Sequence, residues 1–327
     1  MDATSKLVSV LVPCFNAARH LPATLDSVES LRWPELEIVL VDDGSTDNSL
    51  NLLRAYQTQS RHRVQVLTQA NQGAAVARNQ AFAASHGAFI QYLDADDLLD
   101  ADKIDLQAED LLDSGAALNA GCWGRFVDDP DATRFVQSPE PSPLPAAEYL
   151  RRHLAEALML QPSVFLARRE LIAASGGFDP RLSLNDDGEF FARVIARAGG
   201  IRFVSEARCR YRSGDPGTLA GQRSAQALAS ALLAMQLTQA TAAALDGSAL
   251  MREARAKAMA RVAAYLAPHD ATLAERAWHE ARALDPKAHW DEGGRSYRWL
   301  KPWLGWQRAR RVEHLLAQWR AMRRRHS

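Results

Sequence analysis

The sequence predicts an α/β fold: a mostly parallel sheet with helices on both faces, joined to a helical C-terminal region. Three observations carry this. Short apolar runs rich in β-branched or aromatic residues alternate with stretches of helical spacing from the start. Three of the first four such runs end in polar or acidic clusters, where open parallel sheets bind ligands. Beyond about residue 220 the strand-like runs disappear, and Ala, Gln and Arg at helical spacing dominate.

Taken in order, strands are expected at Leu7–Val12 (LVSVLV), Glu37–Val41 (EIVLV), Val64–Leu67 (VQVL) and Ala88–Leu93 (AFIQYL). Helices are expected between them at Ala18–Leu31, Asn48–Thr58 and Gly73–His86. A helix near Lys103–Asp113 precedes a strand through Cys122–Val127. Asp128–Pro145 is dense in Pro and Asp and reads as a long loop, a kind of segment that often carries function in compact domains. A second α/β stretch follows: a helix from Ala146, a strand near Val164–Ala167, a turn at Gly176-Gly177, a helix over Glu189–Ala198 and a strand near Ile201–Val204.

The bulk numbers narrow the function classes. The 327 residues carry 39 basic and 39 acidic side chains, so formal net charge is zero, which argues against a general nucleic-acid binder. Cys14, Cys122 and Cys209 are scattered and form no CxxC pair, as in a reducing compartment with buried thiols. The N-terminus has no signal-peptide layout, and the most apolar long stretch, Ala225–Leu245, is interrupted by Gln226, Gln236 and Gln239. A cytoplasmic protein is expected.

Four motifs carry chemistry. YLDADDLLD places Asp94, Asp96, Asp97 and Asp100 just after an apolar run. Like charges this close call for a cation, and a hard divalent ion such as Mn²⁺ or Mg²⁺ suits few carboxylates plus phosphate oxygens. Acids after a strand also cap helices, which is the expectation for Asp100 and one of two for Asp97. LVDDGSTDNS ends a second strand with Asp42 and Asp43; an Asp there can accept a hydrogen bond from a nucleobase or ribose, while Thr46 or Asp47 can cap the next helix. NQGAAVARNQA opens a helix at Asn71 and Gly73 and carries Arg78, either a solvated residue or one facing anionic ligand groups. GGFDPRLSLNDDGEFF clusters Asp186, Asp187 and Glu189 at a helix start, where the macrodipole favours acids and is expected to depress their pKa. No GxGxxG, GxxxxGK[ST], GxSxG or HExxH occurs.

These motifs, in this order, resemble the family-2 glycosyltransferases, which have the GT-A fold. The matching pieces are VSVLVPCFN, VDDGSTD, NQGAAVARNQA, YLDADD, and GGFDPRL with DDGEFF; YRSGDPGTLAG (Tyr211–Gly221) looks like the family's late loop. The resemblance implies a catalytic domain over 1–220, with 221–327 as a separate helical region. It implies metal-dependent, inverting transfer of a sugar from a nucleotide-sugar donor, a UDP-sugar first, to a glycan or lipid-linked acceptor in surface polysaccharide or lipopolysaccharide synthesis. Pro13, Phe15, Asn16 and Asp43 would line the nucleoside pocket, with Asn71, Gly73, Arg78 and Asp94 completing the donor site. Asp94 and Asp96 would form the DxD pair, with Asp96 the main metal ligand. Asp187 would be the base and Asp186 its partner, standing where the family usually has Glu. Ser213-Gly214-Asp215 stands where many relatives have His. A non-catalytic sugar-nucleotide scaffold would be expected to lose the metal acid or the base, and both are present. A DxDxT phosphohydrolase does not fit, because residue 98 is Leu.

The C-terminal stretch interleaves Trp290, Trp299, Trp303, Trp306 and Trp319 with many arginines. Either the tryptophans pack the helical region and the arginines are solvated, or 295–327 lies peripherally on the inner face of an anionic membrane.

Overall fold

The computed structural model describes residues 6–136, 143–159, 161–214, 223–289 and 295–325. The chain forms two compact units, one of Met1–Tyr149 and Met159–Leu219, the other of Leu150–Leu158 and Ala220–Ser327.

The first unit is built on one sheet. Strands β1 (Val8–Cys14), β2 (Leu36–Asp42), β3 (Arg63–Thr68) and β4 (Phe89–Tyr92) alternate with helices α1 (Leu21–Glu29), α2 (Ser49–Gln59) and α3 (Ala74–Ala84). β1 and β2 are buried along their whole length, because helices cover both faces of a parallel sheet. After β4 come β5 (Leu98–Leu99), α4 (Lys103–Ser114), β6 (Leu118–Phe126), β7 (Arg134–Val136), β8 (Leu144–Pro145), α5 (Ala146–Glu156), β9 (Phe165–Arg168), α6 (Arg169–Ala174), α7 (Asp186–Ala198) and β10 (Gly200–Arg212).

The strand order is β3-β2-β1-β4-β9-β6-β10-β5, with β7 beside β6 and β8 beside β10. β1 to β4 are mutually parallel. Beyond β4 the sheet is mixed: β9 runs antiparallel to both β4 and β6, and β5 antiparallel to β10. The mixed half was not visible in the apolar runs, which carry no strand direction. β10 extends well past the expected Ile201–Val204 and has an irregularity between Val204 and Arg208. Part of the expected loop over 128–145 is the short strands β7 and β8, and residues 137–142 lie outside the described set.

Register positions the site. Cys14 lies opposite Asp42, and Asp42 opposite Thr68. The loops after β1, β2 and β3 therefore leave the sheet at one edge.

The second unit is helical: α8 (Ala225–Leu245), α9 (Ala249–Leu266), α10 (Ala271–Leu284) and α11 (Arg295–Arg325). Ser224, Ser248 and Asp270 cap the first three by accepting the N–H groups of Ala227, Met251 and Leu273. Leu228, Leu232, Met259, Leu266 and Ala277 form its core. α8 is long and apolar enough to cross a bilayer, yet 44% of its most apolar window is buried inside the protein.

Candidate functional site

The loops after β1, β2 and β3 are tied by side chains. Asn16, at φ 49°, accepts the Thr46 N–H at 2.7 Å through Oδ1, and its own N–H donates to Ser45 Oγ at 3.0 Å. Asp47 accepts N–H groups from Ala18 and Ser49, so it both links the loops and serves the start of α2. Pro13 is buried at the end of β1, while Phe15 is half exposed beside it and Asn16 is exposed.

Asp43 is buried, and its carboxylate holds the third loop. Oδ1 accepts Gln69 Nε2 at 2.6 Å and the Gln72 N–H at 2.8 Å; Oδ2 accepts the Gly73 N–H at 2.8 Å. Three of roughly four acceptor sites on a carboxylate are thus occupied. Its neighbour Asp42 accepts the Ser45 N–H through Oδ2, and its Oδ1 is buried with no donor among the described residues. Asn71 is exposed on the loop that Asp43 holds.

The acidic half of the site is organised by Arg78, on the buried face of α3. Nη2 donates to Asp94 Oδ1 at 2.7 Å, and Nη1 donates to Asp186 Oδ2 at 2.6 Å. One guanidinium therefore joins the turn after β4 to the start of α7, with Arg78 and Asp186 108 residues apart in sequence. Burial works against its charge, but Asp94 and Asp186 more than offset this and hold its pKa above the ordinary value. Arg78 is therefore buried, not the solvated residue of one expectation, and the anionic groups it faces are the protein's own Asp94 and Asp186.

A buried aromatic cluster underlies this pairing. Tyr92, at the end of β4, meets Phe178, Phe190 and Phe191 edge-on, and Phe178 stacks on Phe190 at 4.0 Å. The turn bearing Phe178 is also fixed by Asn79, whose amide donates to the Phe178 carbonyl and accepts the Phe178 N–H, both at 2.8 Å. Gly177 makes room: at φ 74°, a Cβ there would lie 2.8 Å from Asn79 Oδ1. Arg193 completes the clamp, paired to Glu189 and donating to the carbonyls of Ser175 and Gly177. Neither Asn79 nor Arg193 stands out in the sequence. A signal for Arg193 was available, as Glu189 and Arg193 lie at i, i+4.

Helix α7 begins at Asp186, earlier than the expected Glu189, with Asn185 in a left-handed conformation as its N-cap. Asp187 is half-buried, and its Oδ1 accepts the Gly188 N–H at 2.7 Å. Its pKa runs opposite to the helix-start expectation. Burial, then repulsion from Asp186, pushes it up to about 7, with Arg78 pulling the other way. Desolvation and a like-charged neighbour outweigh the helix terminus here.

Asp94 and Asp96 are half-buried on the turn after β4, and Asp97 is fully buried behind them. Burial, with Asp96 and Asp94 close by, pushes the Asp97 carboxyl well above its usual range. Asp97 accepts the Arg212 N–H at 2.9 Å, while Arg212 Nε donates to the Asp96 carbonyl at 3.0 Å. Arg212 thus buttresses the turn from β10, a contact the sequence did not reveal. Neither Asp97 nor Asp100 caps α4; the N-cap is Asp102, and Asp100 pairs with Arg210 of β10. Tyr211, beside Arg212, has its hydroxyl pushed up to about 12 by burial and by Asp97, Asp94, Asp96 and Asp187.

Among the described residues no group of three or more His, Cys, Asp or Glu side chains is arranged to hold a metal ion. Two carboxylates on one turn, within a field negative enough to shift Asp97 and Tyr211, nonetheless fit a hard divalent ion that takes its other ligands from phosphate and water. Asp94 Oδ1 is committed to Arg78. Most of the late loop, residues 215–222 with Asp215, lies outside the described set.

The profile described as Glycosyl transferase family 2 matches residues 9–176. The putative teichuronic acid biosynthesis glycosyltransferase TuaG of Bacillus subtilis is 33% identical over 135 residues, covering 41% of this chain and 54% of the relative. The alignments to two further relatives cover 28% of each of their lengths. Among solved structures, S. aureus TarS 1–349 in complex with UDP-GlcNAc aligns with a TM-score of 0.69 at 19% identity, over 94% of this chain and 88% of that one. The mannosyltransferase PcManGT from Pyrobaculum calidifontis, in complex with GDP-Man and Mn²⁺, aligns with a TM-score of 0.54 at 20% identity, over 94% and 86%. At these identities the structural likeness is one of fold.

Proposed function

The chain belongs to glycosyl transferase family 2, and we propose that it transfers a sugar from a nucleotide diphosphate sugar to an acceptor hydroxyl with inversion, in the assembly of a surface polysaccharide or lipopolysaccharide. The observation that carries this reading is the bridge Asp94–Arg78–Asp186, which brings the strand-end acids and the acids of α7 into one site.

The donor binds along the loops after β1, β2 and β3. Phe15 offers an exposed ring for the base, and Asn16 and Asn71 border the nucleoside. Asp43 acts largely by holding the Gln69–Gly73 loop beside the donor. A UDP-sugar is the first candidate, since TarS is described with UDP-GlcNAc and aligns over most of the chain. Asp96 and Asp94 would hold a divalent cation, Mn²⁺ or Mg²⁺, which would supply Lewis-acid neutralisation of the diphosphate.

Asp187 receives the proton of the attacking acceptor hydroxyl. A base with pKa about 7 is ionised about half the time at neutrality and binds the incoming proton well. Asp186, held by Arg78, positions Asp187 and keeps its affinity for a proton high. A single in-line displacement with one base inverts the anomeric carbon. The three free cysteines are buried, in keeping with a cytoplasmic site of action.

Thermal shift against UDP-, GDP- and dTDP-sugars, with and without Mn²⁺, tests the proposal. Saturation at about 100 Kd stabilises by about 2.7 kcal/mol. Stabilisation by one donor that depends on metal is the expected result; no stabilisation by any sugar nucleotide would remove the proposal.

A further inference from the structure

We propose that α11 docks on an anionic lipid bilayer, a role separate from sugar transfer. Gly305, at φ 72° and ψ 163°, divides this helix into two segments, three residues after Pro302. In the second segment one side packs inward. Trp306 lies against Trp278 at 4.7 Å between ring centroids, Ala309 is fully buried, and Glu313 is paired with Arg310.

The opposite side is apolar, basic and exposed. At about 100° per residue, Arg308, Leu315 and Trp319 fall within about 40° of one another, facing away from Trp306, Ala309 and Glu313; Arg311, at the edge of this face, donates from Nε to the Ala267 carbonyl at 2.9 Å. Leu315 is 62% exposed and Trp319 48%; before the kink, Trp303 is 81% exposed and Leu304 37%. Trp303 and Leu315, the most exposed of these, are large apolar side chains at the surface, a patch of the kind that marks an interaction site. Trp290 and the side chain of Trp299 lie outside the described residues.

Charge selects that occupant. Residues 295–325 contain ten Lys and Arg and one acid, Glu313, which Arg310 already neutralises. Tryptophan and leucine flanked by arginine, on one face of a helix, is the composition that settles at the headgroup level of an anionic leaflet. An apolar protein partner would leave the arginines uncompensated. The glycan or lipid-linked acceptor remains a separate question, because this surface would hold the enzyme whatever the acceptor is.

Vesicle co-sedimentation of the full chain tests this. The expected result is pelleting with phosphatidylcholine vesicles containing phosphatidylglycerol, little pelleting with phosphatidylcholine alone, loss of binding in about 0.5 M salt, and a blue shift of tryptophan emission on binding. The variant Trp303→Ser/Leu315→Ser/Trp319→Ser should lose about tenfold or more of its vesicle affinity while keeping helical circular dichroism and donor turnover. Arg308→Glu, which leaves every tryptophan in place, should shift the salt dependence. Failure of the parent chain to pellet with anionic vesicles at low salt would overturn the proposal. So would a dimer, seen by light scattering, that the triple variant dissociates, because the apolar face would then be covered by a second copy.

Discussion

Arg78→Gln removes the one guanidinium that joins Asp94 to Asp186. Arg78 and Asp186 are nearly buried and Asp94 is about a quarter exposed, so water screens little of the charge left behind. Breaking a buried pair by deleting one partner typically costs about 3–5 kcal/mol, because the remaining charge is uncompensated. A domain of about 150–250 residues loses about 2–4 °C in Tm per kcal/mol, so the expected drop is about 6–20 °C. The loss should be larger at pH 8 than at pH 5, where Asp187, whose ionised form Arg78 stabilises, already carries its proton. Adding Asp186→Asn to Arg78→Gln should recover part of it by removing one of the orphaned charges. Circular dichroism melts of the three proteins at both pH values measure this. A Tm within about 2 °C of the parent at pH 8, or the same loss at both pH values, would refute an electrostatic role and leave Arg78 as packing.

Three other consequences follow from the same site. Transfer should require ionised Asp187, so at saturating donor and acceptor the rate should rise through about pH 7 and fall below it. Folding runs the other way: folded Asp187 keeps its proton to about pH 7 while an unfolded Asp releases it near 3.9, so its contribution to stability declines as pH rises between those values, and Asp187→Asn should melt higher than the parent at pH 8. Asn79→Ala should lower kcat more than it raises donor KM, since it frees the Phe178 turn next to α7 and leaves the nucleoside loops intact; an unchanged kcat would show that the turn does not position the base.

Much of this was legible in the residues. β-Branched or aromatic runs ending at Val12, Val41 and Leu93 marked the parallel half of the sheet and its ligand edge, because burial on both faces leaves a largely apolar signature. What eluded the sequence depended on pairing at long range. Strand direction beyond β4 is set by which strands meet, and β9 is only four residues long. Arg78 reads as an ordinary basic residue on an Ala-rich helix until Asp186 is folded against it. The direction of the Asp187 shift could not be read from its helix-start position, since that position supplies the favourable dipole but says nothing of burial or of Asp186 beside it. Asp100 looked like a cap because its partner, Arg210, is 110 residues away.

The most direct test of Asp187 as the base is Asp187→Asn, assayed for donor binding and for transfer on the same preparation. The amide keeps the size of the side chain but cannot take the acceptor proton. Calorimetric donor affinity should stay within about twofold of the parent, while transfer should fall by about 10²–10⁴-fold at every pH. Transfer near the parent rate, with the same pH dependence, would contradict a base at Asp187.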